Sequence, residues 1–256
     1  MSITIKSPED IKAMRASGII AGEILKKTAA QVGVGVSTLE LNNFAEGLMA
    51  ENKVEPSFKT VSGYKFGTCI NVNDGIVHGL PSKDVIIKAG DVVKIDLGVI
   101  LDGWHSDTAT TVYVPCGDVT KDNIIERFLE VGQITLDKAI DKARVGNKIS
   151  DISRVIEEEI EEKNGYGVVY ELTGHGVGRS LHEDPDIPGV LLMGSDVTIK
   201  EGMVLAIEII YCFGEGDMKT SSDDWTIVTS DGSIAGLFEH TVAVTLNGPQ
   251  VLTAAS

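Results

Sequence analysis

The sequence predicts a mixed α/β (α+β) fold made of two similar halves, each with a pair of helices followed by strands. Three observations support this: helix-start signals occur in two clusters, apolar strand-like runs follow each cluster, and one strand–turn–strand segment recurs. The chain has 256 residues, of which 43% are hydrophobic, so both halves can share one core. We therefore expect a single domain over residues 1–256, with half-repeats over roughly 5–115 and 118–247.

Four helix starts are readable in the sequence. Ser7 and Pro8, followed by two acidic residues, are typical of an N-cap and a first helical turn. Ser37 and Glu40 form a capping-box pattern, in which the cap and the third helical residue exchange hydrogen bonds. The predicted elements are helices beginning at Ser7, at Ser37 (to about Lys53), at Thr120 (to about Ala143) and at Ser150 (to about Lys163), and strands with glycine-rich loops over 57–114 and 168–246.

The recurring segment links the two halves. Residues 85–96 can be laid on residues 197–208, with six of twelve positions identical and an acidic residue last in both. Coincidence between two ordinary strand–turn–strand segments would also explain the match. We favour a duplication, in which a pseudo-two-fold brings one carboxylate from each half, Asp96 and Glu208, to a common place.

Composition excludes several classes of protein. The net charge of −16 disfavours binding to nucleic acid or to an anionic membrane surface. The three cysteines, Cys69, Cys116 and Cys212, are too few and too scattered for a disulfide framework. The first fifteen residues lack the apolar run of a signal peptide, and no run of about 18 apolar residues predicts a membrane span. We expect a cytoplasmic protein.

Three acidic residues interrupt strongly apolar strand patterns: Asp96, Glu208 and Glu239. Burying an unpaired carboxylate costs several kcal/mol, and the nearest cation along the chain is Lys94, which could pair with Asp96. Each acidic residue taken singly could face solvent on a half-exposed strand. Together they favour a divalent cation, which can hold several buried carboxylates in one place.

Asp107 joins this set through a predicted hairpin. Asp102 and Gly103 are typical of a two-residue β-turn. Such a turn would place Asp107 opposite Gly98 and diagonal to Asp96, on the same face of the sheet. The alternative is that Asp107 caps the start of the following strand, which would leave unexplained why Asp96 and Asp107 fall on the same face.

Three of the five histidines, His78, His175 and His182, stand in glycine-rich or turn-like segments, where the backbone can approach a ligand closely. His105 and His240 are interpreted as neighbours of ligands. Four carboxylates with one or more histidines suit two bridged metal ions better than a single catalytic zinc. The residues therefore indicate a di-metal hydrolase, while a cysteine nucleophile beside His78 lacks a readable third catalytic group.

The ligand candidates and their flanks resemble the pita-bread metallopeptidases, and among these the type I methionine aminopeptidases. The resemblance covers about residues 5–244 and rests first on the ten residues between Asp96 and Asp107 and on the glycines around His175. Such proteins have a central curved, mostly antiparallel sheet, two pairs of helices and internal pseudo-two-fold symmetry, so the resemblance implies this fold. The flanking motifs lie at 73–81, 102–108, 173–179, 182–185, 224–226 and 238–241.

The resemblance also implies a cofactor. Two divalent metal ions, of Co, Mn, Fe or Zn, would be bound by one set of five residues. Two of the five, one aspartate and one glutamate, would bridge both ions. The implied ligands are Asp96, Asp107, His175, Glu208 and Glu239, with Asp107 and Glu239 as the bridges.

The remaining roles implied by the resemblance concern the substrate. His78, His182 and Glu208 would act in catalysis, and the two histidines would contact the substrate around the scissile amide. A mostly apolar pocket would receive a methionine side chain. The implied pocket residues are Phe58, Tyr64, Cys69 and Trp225.

The implied activity is hydrolytic removal of the initiator methionine from nascent polypeptides, with preference for a small second residue. The implied partners are peptide N-termini, including those at the ribosome, and the expected state is a monomer. Ile209 stands where the family usually has proline, and Leu181 where bacterial members commonly have an aromatic residue.

Two alternatives to this activity remain. One is an X-Pro aminopeptidase or dipeptidase, which commonly carries an added N-terminal domain. The other is a non-catalytic pita-bread binding module, which would have lost ligands.

Overall fold

The computed structural model describes residues 3–192 and 196–255. The first half of the chain comprises α1 (Pro8–Ala29), α2 (Thr38–Glu51), β1 (Glu55–Pro56), a 3-10 turn (Ser57–Thr60), β2 (Thr68–Val72), β3 (Gly75–Val77), β4 (Val92–Leu101) and β5 (Trp104–Tyr113). The second half comprises α3 (Val119–Lys142), α4 (Ile149–Glu157), a π-helical turn (Glu158–Glu162), β6 (Gly167–Val168), β7 (Thr173–Gly176), β8 (Glu183–Pro188), β9 (Val204–Cys212), β10 (Met218–Thr220), β11 (Ile227–Thr229), β12 (Ala235–Thr245) and β13 (Gly248–Val251).

The strands form a large sheet and a small one. The large sheet has ten strands in the order β1-β4-β5-β12-β9-β7-β8, with β2 added on β4, β6 on β9 and β13 on β12. Its pairings are antiparallel, including the central pairing of β5 with β12. The small sheet has the order β10-β11-β3. The predicted mixed α/β class with a mostly antiparallel sheet is therefore confirmed.

The two helices of the first half begin as predicted. The Ser7 and Ser37 side chains each accept a hydrogen bond from the amide three residues later, and Asp10 and Glu40 accept one from the cap amide in return. Each helix thereby satisfies amide donors that the first turn leaves without partners. The second helix ends at Glu51, slightly before the predicted end.

The starts of the other two helices differ from the prediction. Asp118, rather than Thr120, caps α3, because its carboxylate accepts hydrogen bonds from the Thr120 and Lys121 amides. The fourth helix begins after Lys148, and Ser150 lies inside its first turn, where its hydroxyl donates to Asp196 at 2.6 Å. Both predictions placed the cap too late because a serine or threonine was given precedence over the residues before it.

The β4–β5 hairpin has the predicted register. Asp102 and Gly103 have φ of 52° and 75°, as a two-residue type I′ turn requires. Gly98 pairs with Asp107, and Asp96 pairs with Ala109. The two aspartates therefore lie on one face of the sheet, as the sequence predicted.

The helices pack on the opposite face of the large sheet. In the first half, α1 and α2 bury residues such as Ile24 and Leu41 against Leu97 of β4. In the second half, α3 and α4 bury residues such as Phe128 against Ile207 of β9. Since side chains alternate along a strand, the aspartates lie on the other face of the sheet.

Two predictions from the sequence concern disulfide bonds and membrane spans. The thiols of Cys69, Cys116 and Cys212 are all free. Among the residues that the structure describes, every helix is too short or too polar to cross a membrane.

Candidate metal centre

One lateral row of the large sheet carries three of the four candidate carboxylates. Asp96 of β4 pairs with Ala109 of β5, Ala109 pairs with Glu239 of β12, and Glu239 pairs with Glu208 of β9. Asp107 lies two residues from Ala109 along β5 and therefore on the same face. Backbone pairing thus brings together acidic residues that are more than one hundred positions apart in sequence.

His175 of β7 faces this row. Its Nε2 lies 3.8 Å from Asp107 Oδ2, and single ligand atoms of His175, Asp107 and Glu239 lie within 4.8 Å of one another. Its Nδ1 lies 2.9 Å from the carbonyl oxygen of Gly176, which can only accept, so we assign the proton to Nδ1. Burial lowers the pKa of His175 to about 4, so the ring is neutral and Nε2 offers a lone pair.

The carboxylates of this site are buried without enough hydrogen bonds. Asp107 and Glu239 are only 4% and 3% exposed. Burial, followed by repulsion from neighbouring carboxylates, raises the pKa of Asp96 and of Glu239 well above the usual range. Asp96 Oδ1 and Glu239 Oε1 have no hydrogen-bond partner among the described residues. Buried, repelling carboxylates with unused oxygens, beside an imidazole lone pair, fit divalent cations as the missing counter-charge.

The expected pairing of Lys94 with Asp96 is wrong. The Lys94 ammonium donates instead to the main-chain carbonyl oxygens of Asn73 at 2.6 Å and Ala235 at 3.2 Å. The nearest cation in the sequence therefore does not supply the counter-charge, and the argument for bound metal becomes stronger.

A cavity of about 530 Å³ opens above the row. Carboxylates and His175 lie at one end, and aromatic and aliphatic side chains lie at the other. Every residue to which the sequence gave a role lines this cavity: Phe58, Tyr64, Cys69, His78, Asp96, Asp107, His175, His182, Glu208, Trp225 and Glu239.

The apolar end of the cavity is a compact pocket. The Tyr64 and Trp225 rings lie 5.2 Å apart between centroids, in a tilted contact. Phe58, Cys69 and Leu181 are buried in the same cluster. We call these five residues the apolar pocket. Leu181, one of the two departures from the family, therefore forms part of its wall.

The second departure does not disturb the strand that carries Glu208. Ile209 is fully buried among the residues that face the helices, and its backbone pairs with Phe238 in regular register. Glu208 consequently keeps its place opposite Glu239.

Two further histidines stand beside the carboxylates. The His182 ring packs edge-on against His175, with centroids 4.4 Å apart. His78 has a φ of 58°, which turns the chain sharply after β3. Burial lowers the pKa of His182, and burial together with His182 lowers the pKa of His78. Both rings are therefore neutral near pH 7 and can each donate one hydrogen bond to a ligand.

His105 and His240 make other contacts. The Nδ1 of His105 lies 3.1 Å from Ser57 Oγ, and that of His240 lies 2.9 Å from Thr253 Oγ1. These bonds agree with their interpretation as neighbours of ligand candidates.

Sequence reasoning missed part of the cavity wall. Thr173 and Ile210 could have been found, because each lies two residues from a ligand candidate on the same strand and so shares its face. The others come from loops or from the edge strands β3 and β8, where periodicity carries no signal. The missed residues are Val61, Val77, Glu171, Leu172, Thr173, Glu183, Asp184, Asp186 and Ile210.

A mostly antiparallel sheet that presents carboxylates and a neutral histidine to a cavity is typical of a metal-dependent hydrolase. Comparison with known proteins makes the class specific. The sequence profile of metallopeptidase family M24 matches residues 12–246, and the chain belongs to this family.

Similar proteins agree with this membership. The chain is 38% identical to a methionine aminopeptidase of Clostridium acetobutylicum, over 98% of both chains. The crystal structure of methionine aminopeptidase from Thermotoga maritima superposes with a TM-score of 0.93 at 36% identity, covering 99% of this chain and 100% of that one. A prolidase from Pyrococcus horikoshii gives a TM-score of 0.75 at 25% identity, covering 98% of this chain and 64% of that one. The predicted family, pita-bread fold and peptidase class are confirmed.

Proposed function

We propose that this chain is a methionine aminopeptidase that works with two divalent metal ions and hydrolyses the bond after an N-terminal methionine. One observation carries the proposal: five metal-ligand candidates and an apolar pocket share one cavity. The similarity of nearly the whole chain to proteins named methionine aminopeptidase supports it.

The proposed ligands are Asp96, Asp107, His175, Glu208 and Glu239, of which Asp107 and Glu239 would serve both ions. We call these five residues the ligand cluster. The unpaired oxygens of Asp96 and Glu239 and the free Nε2 of His175 support this assignment. When bound, such ions act as Lewis acids and make hydroxide available near neutral pH. Carboxylate-rich sites accept Co, Mn, Fe or Zn.

Glu208 is the proposed proton carrier. It lines the cavity, and burial followed by the Asp107 charge raises its pKa above the usual range. A carboxylate with a raised pKa is suited to take a proton from the attacking water and to pass it to the leaving amine.

His78 and His182 are the proposed contacts to the scissile amide. Both are neutral and line the cavity next to the ligand cluster. A donor that is already oriented toward the reacting carbonyl stabilises a developing oxyanion by several kcal/mol.

The apolar pocket is proposed to select methionine. Its aromatic walls, Tyr64, Trp225 and Phe58, bound a slot for an unbranched side chain, and the Cys69 sulfur offers a polarisable surface to a thioether. Selection at the pocket and cleavage at the ligand cluster would together limit the reaction to an N-terminal methionine.

The test is hydrolysis of Met-Ala-Ser and of Xaa-Pro peptides by chelated protein, before and after addition of Mn or Co. We expect released methionine only after metal is restored, together with stoichiometric metal content. Preference for Xaa-Pro peptides would replace the proposal by a proline-specific peptidase. Protein that carries no stoichiometric metal would be a binding module.

We also propose that the chain is one catalytic domain made of the two half-repeats predicted from the sequence. Corresponding backbone contacts support this. Ile87 accepts from the Gly35 amide at 2.9 Å, and Ile199 accepts from the Gly146 amide at 3.0 Å. Both glycines have nearly the same positive φ, 90° and 91°.

The proposed substrates are the N-termini of nascent polypeptides, including chains still on the ribosome, and the proposed state is a monomer in the cytoplasm. The three free thiols are in keeping with a reducing compartment. Release of methionine from ribosome-bound nascent chains by purified protein, together with its sedimentation as a monomer, would test this.

A further inference from the structure

Lys94 is a buried lysine to which the proposed function gives no role. It lies on β4, on the cavity face, and is 1% exposed. Its hydrogen-bond partners within the described residues are two main-chain carbonyl oxygens, those of Asn73 at 2.6 Å and Ala235 at 3.2 Å. Burial lowers the pKa of Lys94 to about 7, and the amino group can donate both hydrogen bonds in either protonation state.

The two carbonyl oxygens lie where the two sheets meet. Asn73 occupies the turn between β2 of the large sheet and β3 of the small sheet. Ala235 is the first residue of β12, in the large sheet, and its amide donates to the same Asn73 carbonyl oxygen at 3.0 Å. Lys94 Nζ therefore joins β4, β12 and the start of β3.

The small sheet carries groups that face the substrate. His78 follows β3 directly, and Trp225 lies two residues before β11. The two strands are paired, with Val77 opposite Ile227. The position of the small sheet therefore sets the positions of His78 and Trp225 over the ligand cluster.

We propose that Lys94 is a positioning residue, whose amino group fixes the small sheet and thereby places His78 and Trp225 over the carboxylates of the large sheet. This rests on the proposed function, in which those two residues contact substrate. Without a donor at position 94, the carbonyl oxygens of Asn73 and Ala235 lose the hydrogen bonds from Nζ, and only part of the joint, such as the Ala235 amide bond to Asn73, remains, so the contact between the sheets loosens. A displacement of about 1 Å at a reacting group can cost about 100-fold in rate.

The first test replaces Lys94 by Met, which keeps the length of the side chain and removes the donor. The matched control is Lys88→Met, at an exposed lysine before the same strand. We expect K94M to lower kcat/KM for Met-Ala-Ser by about 10- to 100-fold with unchanged metal content, and K88M to match wild type. Equal activity of K94M and wild type would overturn the proposal.

A double-mutant cycle separates positioning from general damage. If Lys94 acts through the small sheet, K94M should cost much less in a His78→Ala background than in wild type, because the group it positions is gone. A full, multiplicative loss in that background would contradict the proposal.

Fluorescence gives a readout that does not depend on turnover. The chain has two tryptophans, so Trp104→Phe leaves Trp225 as the single reporter on the small sheet. We expect K94M to raise the quenching of Trp225 by acrylamide, and K88M to leave it unchanged. Unaltered quenching in K94M would reject the positioning role. If wild-type protein releases no methionine after metal is restored, the proposed function is rejected, whereas the quenching result for Lys94 still stands.

Chemical rescue covers the case in which K94M folds poorly. Lys94→Ala leaves space for a small amine at the joint, so ethylammonium should restore activity and the low quenching of Trp225. Tetramethylammonium, which has no N–H donor, is the control and should restore neither. Failure of ethylammonium, or equal rescue by both ions, would overturn the proposal.

Discussion

The ligand cluster and the apolar pocket share one cavity but stand on different kinds of structure. The ligand cluster projects mainly from the long strands β4, β5, β9 and β12, whose pairing sets the carboxylates in register. The apolar pocket comes largely from a 3-10 turn, loops and residues beside the three-residue strands of the small sheet. Groups that must hold fixed mutual distances thus stand on paired strands, whereas groups that select a side chain stand mostly on loops and short elements.

The largest expected effect tests the ligand cluster. Replacement of Asp107 by Ala should abolish hydrolysis of Met-Ala-Ser and lower the metal content, because a bridging ligand serves both ions. The matched control is Asp102→Asn in the exposed hairpin turn, where Asn tolerates the positive φ. Activity assays with elemental analysis decide the point. A D107A protein with wild-type turnover and metal stoichiometry would remove Asp107 from the cluster.

The next effect separates the histidines that contact substrate from those that bind metal. His182→Ala should lower kcat by about 10²–10³, the cost of one lost oxyanion donor, with metal content preserved. His175→Ala, in contrast, should lose metal, since its Nε2 faces the carboxylates. Loss of metal from the H182A protein would show that the two roles are assigned the wrong way round.

A third prediction concerns the cost of the ligand cluster to the metal-free fold. Burial and neighbouring carboxylates raise the pKa of Glu239 well above the usual range of a glutamate. A raised folded-state pKa stabilises the fold below the unfolded pKa and loses that stability as pH rises. Glu239→Gln should therefore stabilise chelated protein by about 1 kcal/mol at pH 8, while it weakens metal binding.

The check is urea denaturation of chelated wild type and E239Q at pH 8 and near pH 4.5. We expect the difference in unfolding free energy to shrink at the lower pH, where the wild-type carboxyl is protonated in the folded state and partly protonated in the unfolded state. A difference that stays constant, or that grows at low pH, would contradict repulsion as its cause.

The last prediction tests the apolar pocket, the other side of the comparison. Trp225→Ala should shift the ratio of kcat/KM for Met-Ala-Ser and Leu-Ala-Ser by about tenfold and leave metal content intact, because a pocket discriminates by only ~1–3 kcal/mol per methylene. Norleucine has the unbranched shape of methionine without its sulfur, so Norleucine-Ala-Ser shows whether the pocket recognises the shape or the sulfur. An unchanged Met/Leu ratio would remove Trp225 from the pocket wall.

The same contrast explains how much could be predicted from sequence. The register of Asp96 with Asp107 was predictable, because a two-residue turn fixes which residues face each other and the side-chain period is two. The metal centre was predictable for another reason. An acidic residue in an apolar strand is a charge where the pattern predicts burial, and a bound cation resolves that conflict. Glu208 and Glu239 were identified, but their direct pairing depends on which distant strands meet, and no local signal reports that.

The segments outside the long strands were less predictable. The pairing of β3 with β11 joins two three-residue strands about 150 positions apart. Such short strands carry too little periodicity to be recognised. Pairing of Lys94 with Asp96 was considered because Lys94 is the nearest cation along the chain, but its ammonium donates to carbonyl oxygens of other elements.

The pairing of β5 with β12 has a consequence for folding. It joins the hairpin of the first half to the strands of the second through two residue pairs, Ala109 with Glu239 and Thr108 with His240. Both pairs join residues that are far apart in sequence, so closing the loop between them costs a large conformational entropy. We therefore expect this seam to close late, after each half has collapsed. A partly folded chain would then hold separate pairs of carboxylates with low affinity for metal, and tight metal uptake would mark completed folding.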